Sequence, residues 1–291
     1  MRKLGLFLTM FCLVLIAGCG KQEAKLPEIQ LNDLPRVDSS TGAYPMAVAI
    51  ANNALGIENS DELFKASQTV QAHKNVIEGT KDIAIAPMPG KEQLDYAIEK
   101  GVELEFIHVA NNAFVFLVNE DNPVDNLTSE QVRDIYSGKI KNWKEVGGRD
   151  EAIVPLQRNH DSGSQTAMIE FMGETKLTSP ITEYTIGGMG MLIEGIVKPF
   201  DGSQSAIGYS FLYFVNQMID VDGIKLLAID GVKPTNETII DGTYPEISPY
   251  YATIRKDSAE DSIARRWAKY MISETGQNVI EQAKYVRAIP K

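Results

Sequence analysis

Cysteine is almost missing from this sequence: the 291 residues hold only Cys12 and Cys19. Both fall inside the first twenty positions, so the rest of the chain cannot close a disulfide. Histidine is nearly as scarce, with His73, His108 and His160 alone, and no His/Cys set with zinc-ligand spacing can be written. No metal and no cofactor is called for, and stability must come from packed cores. Basic residues are the minority charge, 28 Lys and Arg against 39 Asp and Glu for a formal net charge of −11. Without clustered Lys and Arg a chain lacks the counter-charge that binds a phosphate backbone, which excludes nucleic acid as a partner. Internal repeats and low-complexity segments are also missing. What is present is globular in composition, 44% hydrophobic and 23% charged. A chain of this length exceeds a single core, so two α/β lobes are expected.

One apolar run stands out, LGLFLTMFCLVLIA at residues 4–17, preceded by Arg2 and Lys3 and followed by Gly18-Cys19. It is shorter than the ~20 residues that span a bilayer. Small residues before a cysteine, directly after an apolar core, resemble the bacterial lipoprotein signal, in which residues 1–18 are removed and Cys19 is acylated. The competing reading is a membrane anchor with an incidental cysteine. Removing residues 1–18 from the 291 leaves 273. Residues 19–30 are polar and without apolar period, which suits a tether.

Further along, local punctuation alternates between strand and helix. Pro45, behind the hydroxyls of Ser39, Ser40 and Thr41, starts an Ala-rich helix that Gly56 ends. Segments 81–86 and 104–109 predict strands on either side of a helix near 91–100. The unbroken apolar run 113–118 predicts a strand with both faces covered. Thr128 and Gln131 form a capping box for a helix closed by Gly138. Strands are expected again at 152–156, 206–209 and 224–229, and helices after Ser164, at 189–197 and across 258–282. Strands alternating with helices predict α/β layers with mainly parallel sheets.

The segment most suggestive of chemistry is RNHDSGSQT at 158–166, between a predicted strand and a predicted helix. It sets two serines, a glycine and free backbone N–H groups at a helix N-terminus, which attracts anions. Arg158 can add a two-pronged contact to carboxylate or phosphate oxygens. The plainer alternative is that Ser164 caps its helix and Arg158 is a surface charge. His160, Asp161 and Ser162 do not make a nucleophilic triad, because adjacent residues on a tight turn cannot converge on one another, and no G-x-S-x-G elbow is present. The run Gly187-Gly188-Met189-Gly190 lacks the Lys-Ser/Thr ending of a P-loop and reads as a flexible helix start. His73 and His108 read as structural or surface histidines.

Several spaced segments, NPVDNLTSEQVRDIYSGKIKNWKEVGG at 122–148, RNHDSGSQT at 158–166, SAIGYSFLYF at 205–214 and EQAKYVRAIPK at 281–291, resemble the substrate-binding lipoproteins of phosphate-specific ABC importers. That resemblance implies a two-lobed periplasmic-binding-protein fold (type II), with residues 31–117 plus 252–291 as one lobe and 118–251 as the other. The runs 113–118 and 250–254 would be the crossovers. It implies inorganic phosphate or a similar small oxyanion as ligand, importer permease subunits as partners, and no enzymatic activity. The protein would be a monomer outside the cytoplasm, held to the cell membrane by a lipid on Cys19. By position, Arg158, Ser162, Gly163 and Ser164 would bind ligand on one lobe. On the other lobe the counterparts are Tyr44, through its backbone N–H, and Thr69. Two positions depart from the family pattern. Ala43 replaces a threonine, for which Ser40 or Thr41 could substitute, and Pro87 replaces the acid that accepts the proton of hydrogen phosphate. Those departures keep open another oxyanion or an organic acid as ligand, and a sensor that does not transport.

Overall fold

The computed structural model describes residues 34–61, 64–179, 185–186, 189–197, 204–219 and 222–288. In chain order the elements begin with β1 (Val37–Ser39), a 3₁₀ turn (Thr41–Ala43), α1 (Tyr44–Leu55), β2 (Lys65–Ala66), α2 (Thr69–Ile77), β3 (Ile83–Ala86), α3 (Lys91–Glu99) and β4 (Leu104–Asn111). There follow β5 (Phe114–Asn119), β6 (Asn126–Leu127), α4 (Ser129–Tyr136), β7 (Ala152–Pro155), β8 (Gln157–Arg158), α5 (Gly163–Met172), β9 (Thr185–Ile186), α6 (Met189–Val197) and β10 (Gln204–Phe211). A π turn (Phe214–Met218) leads to β11 (Ile224–Leu226), β12 (Ala228–Ile229), α7 (Asn236–Ile240), β13 (Tyr250–Arg255), α8 (Ile263–Met271), α9 (Glu274–Gln282) and β14 (Val286–Arg287). No described helix is long and apolar enough to cross a membrane.

Two sheets organise these elements. The larger runs β14-β4-β13-β3-β1-β2 and the smaller β11-β5-β10-β7. Both are mixed, which corrects the expectation of mainly parallel pairing. β1 pairs parallel with β2 and β3, but β13 runs antiparallel to β3 and β4. In the second sheet β10 is parallel to β7 and antiparallel to β5. The returning strands are the cause: β13 enters the first sheet after the whole excursion from β5 to α7. A strand's own side-chain pattern does not record the direction of its neighbour.

Each sheet carries a separate core. On the first, α1 buries Met46, Ala47, Ile50 and Ala51 and α8 buries Trp267, Ala268 and Met271, all against Ile83, Ile85 and Ile254. On the second, β5 is buried on both faces, as its apolar run predicts. Phe116 packs with Tyr136, Trp143 and Tyr209, while Leu117 faces Leu192 and Ile196 of α6. Each such side chain contributes about 1.5–3 kcal/mol. Local signals set the helix ends: Gly56 closes α1 at φ 64°, and the Thr128–Gln131 box opens α4. The stretch 258–282 is two helices, because Ser273 accepts from the N–H of Gly276 and starts α9 afresh.

The chain passes between the sheets in short connectors rather than within the runs 113–118 and 250–254, since β5 pairs inside one sheet and β13 inside the other. The connectors hold each other: Phe114 N–H donates to Glu246 O at 2.8 Å and Ser248 N–H to Asn112 O at 2.8 Å. The Asn112 side chain accepts from the N–H groups of Ala113 (2.9 Å) and Tyr213 (3.1 Å) and donates to the Tyr250 hydroxyl (3.0 Å). Three passages of chain thus meet on one buried amide. Residues 1–33 lie outside the described residues, and with them the signal segment, the Cys19 lipid site and the tether. Gly187 and Gly188, ahead of α6, also lie outside them.

Candidate functional site

A cavity of about 260 Å³ opens between the two sheets, lined by Ser40, Thr41, Gly42, Gln68, Thr69, Arg158, Ser162, Gly163, Ser164, Phe211 and Phe214. Three chain turns, each the start of a helix, deliver most of these residues, while Arg158 comes from β8 and Phe211 and Phe214 from the end of β10 and the turn after it. After β1 the chain bends at Ser40, whose N–H donates to Ile85 O at 3.0 Å, and enters the 3₁₀ turn that leads into α1. The close approach here requires Gly42, because a Cβ would stand 2.7 Å from the Tyr250 hydroxyl oxygen. Gln68 opens α2 with φ 69° and no side-chain cap. On the facing body Ser162 opens α5, with its carbonyl accepting from the N–H groups of Gln165 and Thr166 at 3.0 Å. The first N–H groups of a helix, here those of Gly163 and Ser164, have no acceptor within it. Each helix start adds roughly half a positive charge.

A buried acid behind the wall fixes two of these turns together. The Asp38 carboxylate, fully buried, accepts from Ser39 N–H (2.8 Å), Ser67 N–H (3.0 Å) and the Asn75 amide (2.6 Å). It ties the end of β1 to the loop that starts α2. The Ser40 hydroxyl, buried in the same wall, has no hydrogen-bond partner among the described residues. Buried hydroxyls are normally paired, and this one keeps its donor and acceptor unused among the described residues.

Arg158 ends β8 with only 8% of its surface exposed. Its backbone N–H donates to Gln165 Oε1 at 3.1 Å and Tyr209 Oη at 3.0 Å, and the Tyr209 hydroxyl donates to Gln165 Oε1. The arginine is therefore locked to the first turn of α5. Burial lowers its pKa from the ordinary arginine value, the sign of a guanidinium taken out of water. Among the described residues the lining contains no acidic side chain.

The two bodies touch around this cavity. A Cβ on Gly163 would lie 2.2 Å from Thr69 Oγ1, and one on Gly90 would lie 3.1 Å from Thr166 Cγ2. His160 reaches the other way, its Nε2 3.5 Å from Glu92 across the cleft, while Ser162 Oγ pairs with Ser164 Oγ at 2.9 Å. Histidine and serine do not converge.

These features place an anion cavity between two α/β bodies, and the comparisons with known proteins bear on that arrangement. Residues 39–275 match the model of the PBP superfamily domain. The chain belongs to the PBP superfamily. Among solved structures this PBP chain is similar to a Clostridium perfringens protein described as a phosphate ABC transporter substrate-binding protein with bound phosphate. The TM-score is 0.68 at 25% identity, covering 87% of this chain and 98% of that one. An ABC-type phosphate transport receptor from Vibrio cholerae gives 0.65 at 22% identity, covering 90% and 100%. In sequence the chain is 26% identical to the phosphate-binding protein PstS of Bacillus subtilis over 96% of itself and 91% of that protein. The match to PstS of Borreliella burgdorferi, also 26% identical, spans 61% of this chain and 63% of that relative.

Seven of the eight residues singled out from sequence, Ser40, Thr41, Thr69, Arg158, Ser162, Gly163 and Ser164, line this same cavity. Tyr44 does not. Its N–H donates to Thr41 O and its hydroxyl to Asp61 O at 3.0 Å, so the backbone donor expected there is engaged inside the turn. Ala43 N–H is likewise taken by Ser40 O at 3.1 Å. Pro87 stands outside the lining, where its carbonyl accepts from His73 Nε2 at 2.9 Å. His73 is structural, wholly buried and pushed down to about 4 by that burial. Sequence reasoning missed Gly42, Gln68, Phe211 and Phe214. The two phenylalanines sit within the SAIGYSFLYF segment, whose apolar character signalled only a strand.

Proposed function

We propose that this chain captures inorganic phosphate by closing its two lobes on the ion and delivers it to the permease of an ABC importer. The observation that carries the reading is the lining itself: among the described residues, a buried arginine, five hydroxyl side chains and three helix starts, with no carboxylate beside them. Hydroxyls donate and accept, so Ser40, Thr41, Thr69, Ser162 and Ser164 can meet both the oxygens and the proton of hydrogen phosphate without an acid at position 87. Ligand contacts both lobes only in the closed form, and closure is thereby favoured. Charge-assisted hydrogen bonds contribute about 1.5–3 kcal/mol each, and micromolar affinity corresponds to about 8 kcal/mol. Four or five good contacts suffice after ordering costs.

In this reading the lobes divide near Asn112–Ala113 and Ile247–Ser248, where the paired connectors form the hinge. The protein acts outside the cytoplasm as a monomer, tethered through residues 19–30 by a lipid on Cys19, and it turns nothing over. The experiment is uptake of radiolabelled phosphate by cells deleted for this chain and complemented with wild type, Arg158→Ala or Cys19→Ser. Lost uptake restored by wild type and not by Arg158→Ala supports import. Release of Cys19→Ser protein from the membrane supports the lipid anchor. Undiminished phosphate uptake in the deleted cells contradicts the transport role.

A further inference from the structure

The cavity is larger than a bare oxyanion needs, and its chemistry is lopsided. Phosphate has five heavy atoms, about the volume of two or three waters at ~30 Å³ each, against a space of about 260 Å³. The donors Arg158, Ser162, Ser164, Ser40, Thr41 and Thr69 gather on the helix starts, whereas Phe211 and Phe214 line the cavity from the end of β10 and the turn that follows it. Water against two aromatic rings finds few polar partners, and cavities of this mixed character take ligands with one polar and one apolar end.

The rings cannot swing in to fill the gap. Phe211 is 6% exposed and packs against Phe114 at 6.0 Å and Tyr250 at 6.4 Å between ring centroids. Phe214, half-buried, packs against the cluster that holds Leu117, Leu192 and Ile196, on the same turn as Tyr213, which stacks on Tyr285 at 3.6 Å. The space beside them is therefore built into the fold.

We infer that this site accepts a monosubstituted phosphoryl anion, a phosphonate or phosphate monoester with a short hydrocarbon or aryl substituent. Its three free phosphoryl oxygens face Arg158 and the hydroxyls, and its substituent lies against Phe211 and Phe214. The inference rests on the reading of the cavity as a phosphoryl site and extends its substrate class.

The test is calorimetry on the mature chain, stripped of ligand, with phosphate, methylphosphonate and phenylphosphonate, each repeated on Phe214→Ala and Phe214→Leu. Phenylphosphonate is expected to compete with phosphate and to bind at least tenfold tighter than methylphosphonate. Its affinity relative to phosphate is expected to fall at least fivefold in both variants. The leucine variant keeps apolar bulk and guards against simple misfolding, which a melting curve checks. Phosphate binding with no competition from a hundredfold excess of phenylphosphonate overturns the inference and leaves the phosphate reading standing. Phenylphosphonate binding with an unchanged ratio in Phe214→Leu overturns the ring contact. Failure of all three compounds to bind overturns the phosphoryl reading beneath it.

Discussion

Gly163→Ala tests whether the lobes close as the structure places them. Gly163 begins α5 on one lobe and Thr69 begins α2 on the other, and the added methyl would stand 2.2 Å from Thr69 Oγ1 and 3.2 Å from its Cβ. Relief to an ordinary contact requires about 1 Å of separation between the two helix starts. Overpacking of this kind costs about 1–3 kcal/mol, and losing one charge-assisted bond to the ligand costs a similar amount. Phosphate affinity should fall roughly 5- to 150-fold, at 1.4 kcal/mol per factor of ten. The ligand-free melting temperature should hold, because open lobes do not meet the methyl and alanine is the better helix residue. Calorimetry and a melting curve on the same preparation separate the two effects. In a Thr69→Ala background the Gly163→Ala penalty should shrink, as expected for a pair in contact. Wild-type affinity for Gly163→Ala would refute the closed geometry.

Further expectations concern the arginine, the buried acid and a buried histidine. Arg158→Ala should weaken phosphate binding at least a hundredfold by calorimetry, and Arg158→Lys should recover only part, because an ammonium cannot reproduce the planar fork; equal binding by both variants and wild type would remove Arg158 from the site. Asp38→Ala leaves the N–H groups of Ser39 and Ser67 and the Asn75 amide without their acceptor; urea unfolding should show a loss of about 2–4 kcal/mol together with weakened phosphate binding, and an unchanged midpoint would contradict this. Burial holds His73 down to about 4, against about 6.5 in the unfolded chain, so the unfolded state binds the extra proton between those values. The stability this group contributes is whole above pH 6.5 and falls as pH drops toward 4, by up to roughly 3 kcal/mol. His73→Gln should flatten that part of the urea midpoint between pH 7 and pH 4.5, and an identical slope in the variant would contradict it.

Much of this was legible because the signals are local. Pro45 and Gly56 bracket α1, and Thr128 with Gln131 opens α4, since caps and left-handed stops need only neighbouring residues. RNHDSGSQT read correctly as a helix start carrying an arginine, although Ser162 rather than Ser164 occupies the cap position. What depends on distant partners was not legible. Gln68 at positive φ has no sequence mark, and Asp38 works through Ser67 and Asn75, thirty or so residues away. The direction of β13 depends on where the chain returns. Tyr44 fell out of the site because its N–H serves the turn that precedes it, a competition invisible without coordinates.

The central claim is tested most directly by one calorimetric titration of the stripped mature chain with inorganic phosphate, sulfate serving as the competing anion. One site of micromolar or tighter affinity for phosphate is predicted, and because hydroxyls that accept the proton of hydrogen phosphate donate equally well to a sulfate oxygen, sulfate is expected to compete for the same site. A flat phosphate titration from protein with an intact melting transition would contradict it.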